Sequence, residues 1–299
     1  MIEVMGVTKT FGSHRAVDDA SFTAPAGAVT GFLGPNGAGK TTTLRILLGL
    51  ARASAGQALI NGVPYAELVV PRRTVGAVLD SMSFHPGRSG RDHLRIVARA
   101  VGIAPERVDE VLDFVALTPA AHRAVGGYSH GMRQRLALAS ALLGDPEVLV
   151  LDEPATGLDP AGMAWLRRLL ADWAGQGRTV LFSSHVLSEV ELVADRVVII
   201  SRSRIVHEGA KAELAGTGRA VVVRTSTPTR LCEVAACSGW QIQQDGHERF
   251  VIHGPTADEV GLVASRAGIA LAELSQQASG GRLTELFLEL TGASTEEQA

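Results

Sequence analysis

The chain has 299 residues, 46% of them hydrophobic and 20% charged, with a formal net charge of −3. These values exclude a disordered or fibrous chain, and they lack the basic field that would recommend a nucleic acid as partner. Its two cysteines, Cys232 and Cys237, are too few for a disulfide scaffold and do not form a C-x-x-C pair, so a reducing, cytosolic compartment is expected.

The N-terminal MIEVMGVTKTFG has no basic region followed by an apolar one and does not read as a secretory signal. The longest apolar runs, such as Leu136–Leu143, fall short of the roughly 18 residues a membrane-spanning helix needs. Action at a membrane therefore requires a partner.

In chain order, Ile2–Thr23 reads as two short strands around Phe11-Gly12-Ser13-His14, an antiparallel lobe. Apolar runs at Ala28–Leu33, Thr74–Leu79, Val148–Leu151, Thr179–Phe182 and Arg196–Ile200 read as buried strands. Helical periods lie between them at Lys40–Leu50, Arg91–Val101, Glu106–Val115, Gly131–Leu143 and Pro160–Gly175. Such alternation predicts an α/β fold with a mostly parallel sheet covered on both faces. The character changes near Gly216-Thr217-Gly218, so the expected domains are 1–215 and 216–299. The second reads as strand Arg219–Thr225, helix Pro228–Cys237, strands Trp240–Gln244 and Glu248–His253, helix Thr256–Gly268, strand Ala270–Ser275 and a terminal helix Arg282–Leu290. That order is the ferredoxin-like β-α-β-β-α-β.

Gly34-Pro35-Asn36-Gly37-Ala38-Gly39-Lys40-Thr41-Thr42 fits G-x-x-x-x-G-K-[ST] between a strand and a helix. Its glycines let successive backbone N–H groups converge on phosphate oxygens, and the helix start adds further donors. Lys40 is expected on the β- and γ-phosphates, the Thr41 hydroxyl on Mg²⁺, and Thr42 near the α-phosphate. The strand Val148–Leu151 then ends in Asp152-Glu153-Pro154. Beyond the carboxyl end of a strand, Asp152 is placed to hold Mg²⁺ through water and Glu153 to polarise the attacking water.

Three further segments make residues 2–215 resemble the ATP-binding subunit of an ATP-binding cassette (ABC) transporter. Tyr128-Ser129-His130-Gly131-Met132 resembles that family's signature, usually Leu-Ser-Gly-Gly-Gln; Ser129 and Gly131 match, while His130 replaces a Gly and Met132 the Gln. Gly157-Leu158-Asp159-Pro160 is similar to its D-loop, and Ser183-Ser184-His185 to the segment carrying its switch histidine. The resemblance implies a P-loop ATPase cassette in which Ser129 and Gly131 of one subunit close on the ATP held by another. Asp159 is then near the partner's site, His185 helps arrange Glu153 and the water, and Phe11 stacks on adenine. It further implies a second nucleotide-binding subunit, identical or related, and a separate transmembrane permease, with the chain peripheral on the cytoplasmic face. Residues Ser81–Asp92 and the helices that follow are the expected docking surface.

Where the family carries a Gln, this chain has Asp80, a carboxylate able to meet Mg²⁺ but not to donate as an amide does. That replacement, with the SSHVLSEVE and GMRQRLALASALLGDPEVLVLDEP stretches, resembles the branch that exports antibiotics and peptide antibiotics. A soluble ABC-type ATPase without a transport role is the alternative. A P-loop kinase leaves the signature, D-loop and His185 unexplained.

Overall fold

In the computed structural model, the residues described are 1–79, 84–214, 220–246, 248–277 and Phe287. They fall into two compact units, one from Met1 to Gly209 and the other beginning at Ala210.

The first unit opens with β1 (Ile2–Phe11) and β2 (His14–Ala24), an antiparallel pair turning through Gly12 and Ser13. β3 (Ala28–Leu33), α1 (Lys40–Leu47) and β4 (Ala55–Ile60) follow. A single helical turn, α2 (Pro71–Thr74), runs into β5 (Val75–Val78). The helices α3 (Gly90–Ala100), α4 (Glu106–Phe114) and α5 (His130–Leu142) make up the next segment. Then come β6 (Val148–Leu151), α6 (Pro160–Gly175), β7 (Thr179–Ser184), α7 (Leu187–Val193), β8 (Arg196–Ser201) and β9 (Arg204–Ala210).

The strands form two sheets, a three-stranded β2-β1-β4 and a six-stranded β5-β6-β7-β3-β8-β9. Within the larger sheet β5, β6, β7, β3 and β8 pair parallel. Arg202 and Ser203, at φ 46° and 69°, supply the left-handed pair that a two-residue hairpin into β9 needs. The inner strands β6 and β7 are buried at every position, which is why they read as apolar runs. Register aligns Leu33 with Ser184 and Leu151 with Phe182, so the loops after β3, β6 and β7 leave from one edge.

One core joins the sheets through Ile2, Val4, Phe22, Phe32, Leu44, Leu47 and Ile60. The Phe22 and Phe32 rings lie 5.1 Å apart, within the range of attractive aromatic pairs. α3 to α5 bury their own apolar stripe, including Leu94, Val108, Leu112 and Leu136. The Tyr128 hydroxyl donates to the Ala120 carbonyl at 2.7 Å. A Cβ on Gly90 would meet that hydroxyl at 2.4 Å, so the start of α3 sits where only glycine fits.

The second unit begins with α8 (Lys211–Leu214) and continues as β10 (Ala220–Thr225), α9 (Pro228–Cys237), β11 (Gln241–Gln244), β12 (Arg249–His253), α10 (Ala257–Arg266) and β13 (Leu271–Gln277). Its sheet order is β11-β12-β10-β13, antiparallel throughout, which is the ferredoxin-like arrangement. Val221, Val223, Phe250 and Ile252 pack on Leu231, Val260 and Ala264 of the two helices. The expected terminal helix Arg282–Leu290 lies outside the described residues except for Phe287, which is helical and buried. Arg219, at the start of the expected strand, is outside them as well.

Several boundaries differ from the sequence reading. The strand expected from Thr74 starts at Val75, because Pro71 at the first helical position turns the preceding residues into a helical turn. The helix expected to Leu50 ends at Leu47, where Gly49 takes φ 68°. β4, β9 and α7 are additional.

Candidate functional site

The glycine loop between β3 and α1 has the shape its sequence requires. A Cβ on Gly34 would lie 2.4 Å from the Ile200 carbonyl oxygen, so the loop leaves the sheet in contact with β8. Gly39, at φ 111°, is equally confined, 2.5 Å from the Ala16 carbonyl oxygen. Gly37 takes φ 79° in open space, so backbone conformation alone demands glycine there.

Lys40 is buried, and its Nζ donates to the Gly34 carbonyl at 2.6 Å and the Pro35 carbonyl at 3.2 Å. It also lies 3.5 Å from Glu153 Oε1. Burial holds its pKa below the usual lysine range, with Glu153 and Asp152 opposing that shift. A buried cation at the mouth of a left-handed glycine loop, at the start of a helix, suits a polyphosphate anion.

Across from it, Thr41 Oγ1 donates to Asp152 Oδ2 at 2.7 Å. Asp152 Oδ1 accepts from the Ser183 hydroxyl, whose oxygen in turn accepts the Glu153 N–H at 3.0 Å. The paired oxygens of Thr41 and Asp152 are the hard donors that Mg²⁺ prefers. Glu153 itself is left-handed, at φ 50°. Its Oε2 lies 2.5 Å from His185 Nδ1 and accepts from Thr156 Oγ1 at 3.3 Å. On the far side, Ser184 Oγ donates to Glu189 Oε2 at 2.6 Å and accepts the Val186 N–H at 2.9 Å. Burial raises the pKa of Glu189.

The structure thus gathers Lys40, Thr41, Asp152, Glu153 and His185 into one hydrogen-bonded group. Ser129, Gly131 and Asp159 form a second group. Ser129 caps α5, its Oγ accepting the Met132 N–H at 3.2 Å, and Asp159 caps α6, accepting the Gly162 N–H at 2.7 Å. The Cβ position of Gly131 lies 3.7 Å from the Leu158 side chain, so the starts of the two helices adjoin. Phe11 stands apart at the end of the first hairpin, 54% exposed, with the Lys9 ammonium 4.8 Å from its ring centre. Asp80 lies outside the described residues, as do Ser81, Met82 and Ser83 of the expected docking surface.

Residues 17–156 match the family described as ABC transporter. The bacitracin transport ATP-binding protein BcrA of Bacillus licheniformis is 33% identical over 99% of this chain and 98% of its own length. The chain belongs to the ATP-binding subunits of ABC transporters. The daunorubicin/doxorubicin resistance ATP-binding protein DrrA of Streptomyces peucetius is 34% identical over 100% of this ABC subunit and 96% of its own length. A solved ATP-binding subunit of an ABC transporter shares the fold, with a TM-score of 0.65 at 22% identity over 89% of this chain and 99% of that one. A dimeric cassette in a post-hydrolysis state with ADP and Pi gives a TM-score of 0.62 at 22% identity over 71% of this chain and 99% of its own. Cassettes of this family dimerise. Residues 219–280 of the ABC subunit match a domain of unknown function, DUF8746.

The ABC subunit is therefore an ATP-binding ATPase cassette. Among its described residues no helix is long and apolar enough to cross a membrane. Sequence reasoning missed three residues at its site. Ser183 is fully buried and joins Asp152 to Glu153, and Thr156 touches the Glu153 carboxylate. Gln134, also buried, donates to the Pro154 carbonyl at 2.9 Å. A polar residue within an apolar strand or helix stripe was the available signal for Ser183 and Gln134. Thr156 offered none.

Proposed function

We propose that this ABC subunit powers export of an antibiotic or other drug-like compound through a separate membrane permease, by ATP-driven closure of a dimer. The observation that carries the chemistry is the continuous hydrogen-bonded group Thr41–Asp152–Ser183–Glu153–His185 beside buried Lys40. Full-length similarity to the bacitracin and daunorubicin proteins supports the direction and the class of cargo.

In this reading residues 1–215 are the ATP-binding domain and 216–299 an accessory domain. The backbone from Gly34 to Gly39, with Thr42, wraps the phosphates. Lys40 leaves the loop carbonyls for the β- and γ-phosphates. Thr41, and Asp152 through water, would hold Mg²⁺, which when bound neutralises phosphate oxygens. Glu153 accepts a hydrogen bond from the attacking water and takes its proton as the water oxygen bonds to the γ-phosphorus and the bridging bond to the β-phosphate breaks, releasing ADP and phosphate. His185 fixes the Glu153 carboxylate and donates toward the γ-phosphate. Phe11 stacks on the adenine. Ser129 and Gly131 meet the nucleotide held by a second copy, and Asp159 lies beside that copy's site. Asp80, in place of the family's usual Gln, would supply a carboxylate to Mg²⁺ or its water. The subunit sits on the cytoplasmic face of the membrane, docked to the permease through the 81–92 segment and the helices α3 and α4.

The test is to co-express the chain with a membrane protein encoded beside it, purify the pair in detergent, and measure phosphate release and drug accumulation in the expressing cells. Mg²⁺-dependent turnover, abolished by EDTA, together with lowered accumulation of a bacitracin- or anthracycline-like compound, is the expected result. Turnover with no membrane companion recovered and unchanged accumulation of every compound would overturn the transport reading.

A further inference from the structure

The signature segment departs from its family at His130, and the structure gives that residue a contact no glycine makes. His130 Nε2 lies 2.9 Å from the Thr156 carbonyl oxygen. The ring fills the space over Gly157: a Cβ there would lie 2.3 Å from His130 Cδ2 and 2.7 Å from its Nε2. Gly157 is itself left-handed, at φ 73°, so the D-loop turns just where the imidazole covers it. Four residues on, one turn along the same face of α5, Gln134 donates to the Pro154 carbonyl. The first two turns of α5 thus pin the segment after Glu153 at two alternate carbonyls.

Thr156 continues the chain of contacts. Its carbonyl faces His130, while its hydroxyl donates to the Glu153 carboxylate, which also meets His185. A line of hydrogen bonds therefore runs His130–Thr156–Glu153–His185, from the start of the signature helix to the carboxylate beside Lys40.

We infer that His130 is a positioning residue that ties the signature helix to the D-loop and, through Thr156, holds the Glu153 carboxylate of its own chain in place for water activation. This rests on the role proposed above for Glu153. In that reading the signature of one copy touches the ATP of the other, so the tie couples the two sites of a dimer. Movement of α5 onto the partner's nucleotide pulls on the Thr156 carbonyl and so re-aims Glu153. With the family's usual glycine at position 130 the tie is absent, and of these two bonds from α5 only that of Gln134 to the Pro154 carbonyl remains. Nε2–H is the donor, a role it keeps in the neutral tautomer that carries it and in the imidazolium.

Three variants of the full chain separate the bond from the packing. His130→Ala removes both, His130→Phe keeps a ring over Gly157 without a donor, and His130→Gln restores an N–H at the same number of bonds from Cα. Two readouts are made. The first is amide hydrogen exchange of the peptide spanning residues 153–160 in nucleotide-free protein. The second is kcat and KM for ATP hydrolysis. His130→Ala and His130→Phe are expected to exchange faster in that peptide and to lose about 3- to 10-fold in kcat, as for one neutral hydrogen bond, with KM unchanged. His130→Gln is expected to recover most of both. If the Ala and Phe variants match wild type in exchange and in kcat, or if Phe alone retains both, the inference is overturned. The exchange arm reads the tie without nucleotide, so it still judges the contact if Glu153 proves to have another role. That second failure shows itself separately, as normal turnover in a Glu153→Gln variant.

Discussion

Glu153→Gln offers the sharpest test of the site. The substitution preserves shape, and because both residues carry a side chain at φ 50° it adds no backbone strain. What it removes is specific. The carboxylate accepts from His185 at 2.5 Å and from Thr156 at 3.3 Å, and stands 3.5 Å from the Lys40 ammonium. The amide oxygen of Gln satisfies one of these neighbours, but the amide nitrogen accepts nothing and no proton can be taken from water. Loss of a positioned general base costs about 10²–10⁴ in rate, or roughly 3–5 kcal/mol of transition-state stabilisation. Binding is expected to move the other way. Lys40 loses its anionic neighbour and the γ-phosphate loses a facing charge, so ATP affinity stays level or rises. The assay pairs phosphate release with equilibrium binding of labelled ATP, followed by gel filtration with and without ATP. A dimer that accumulates with ATP and does not turn over is the expected picture. A variant hydrolysing ATP within about threefold of wild type would refute the assignment of Glu153 as the group that activates water.

Three further predictions follow from neighbouring contacts. Asp152→Asn leaves one acceptor for the Thr41 and Ser183 hydroxyls, and the Mg²⁺ concentration for half-maximal turnover should rise about 10- to 100-fold, read from a Mg²⁺ titration at saturating ATP. Gly34→Ala places a Cβ 2.4 Å from a backbone oxygen of β8, so β3 and β8 must part at the site; about 1–3 kcal/mol of stability should be lost in urea unfolding, and unchanged stability would mean that the loop relaxes freely. Glu189 has a raised folded pKa, so its protonated form favours the folded state: that stability is whole below the unfolded carboxylate pKa of about 4.3 and is lost as pH rises through the folded value. The melting temperature of Glu189→Gln relative to wild type should therefore climb across that window, and a flat difference between the two proteins would count against burial as the cause.

The residues that carry phosphate chemistry were legible because each is bound to a local pattern. The glycine loop, the acidic pair after Leu151 and the histidine after β7 all follow apolar strands that leave one edge of the sheet. The strands missed lacked such a pattern. β4 reads Ala-Gly-Gln-Ala-Leu-Ile, without a β-branched residue until its end, and is set by pairing with β1 rather than by propensity. β9 alternates exposure at the sheet edge and depends on the Arg202–Ser203 turn. α7 is only seven residues long and lies against the sheet through Leu187 and Val190. The tie from His130 to Thr156 spans 26 positions and joins a helix to a loop, so no spacing rule announces it. Sequence comparison marked His130 as a departure, but only the folded chain shows what the imidazole touches.

The in-step pairing of β3, β6 and β7 behaves as a ruler. Neighbouring strands stand about 4.8 Å apart and advance about 3.3 Å per residue, so adding or deleting one position within any of them would slide its outgoing loop by most of the reach of a hydrogen bond and invert which side chains face inward. An added or deleted residue would disturb the site least at the opposite rim, around Gly27, Arg178 and Asp195, where turns are closed by backbone bonds and nothing reactive is being measured off.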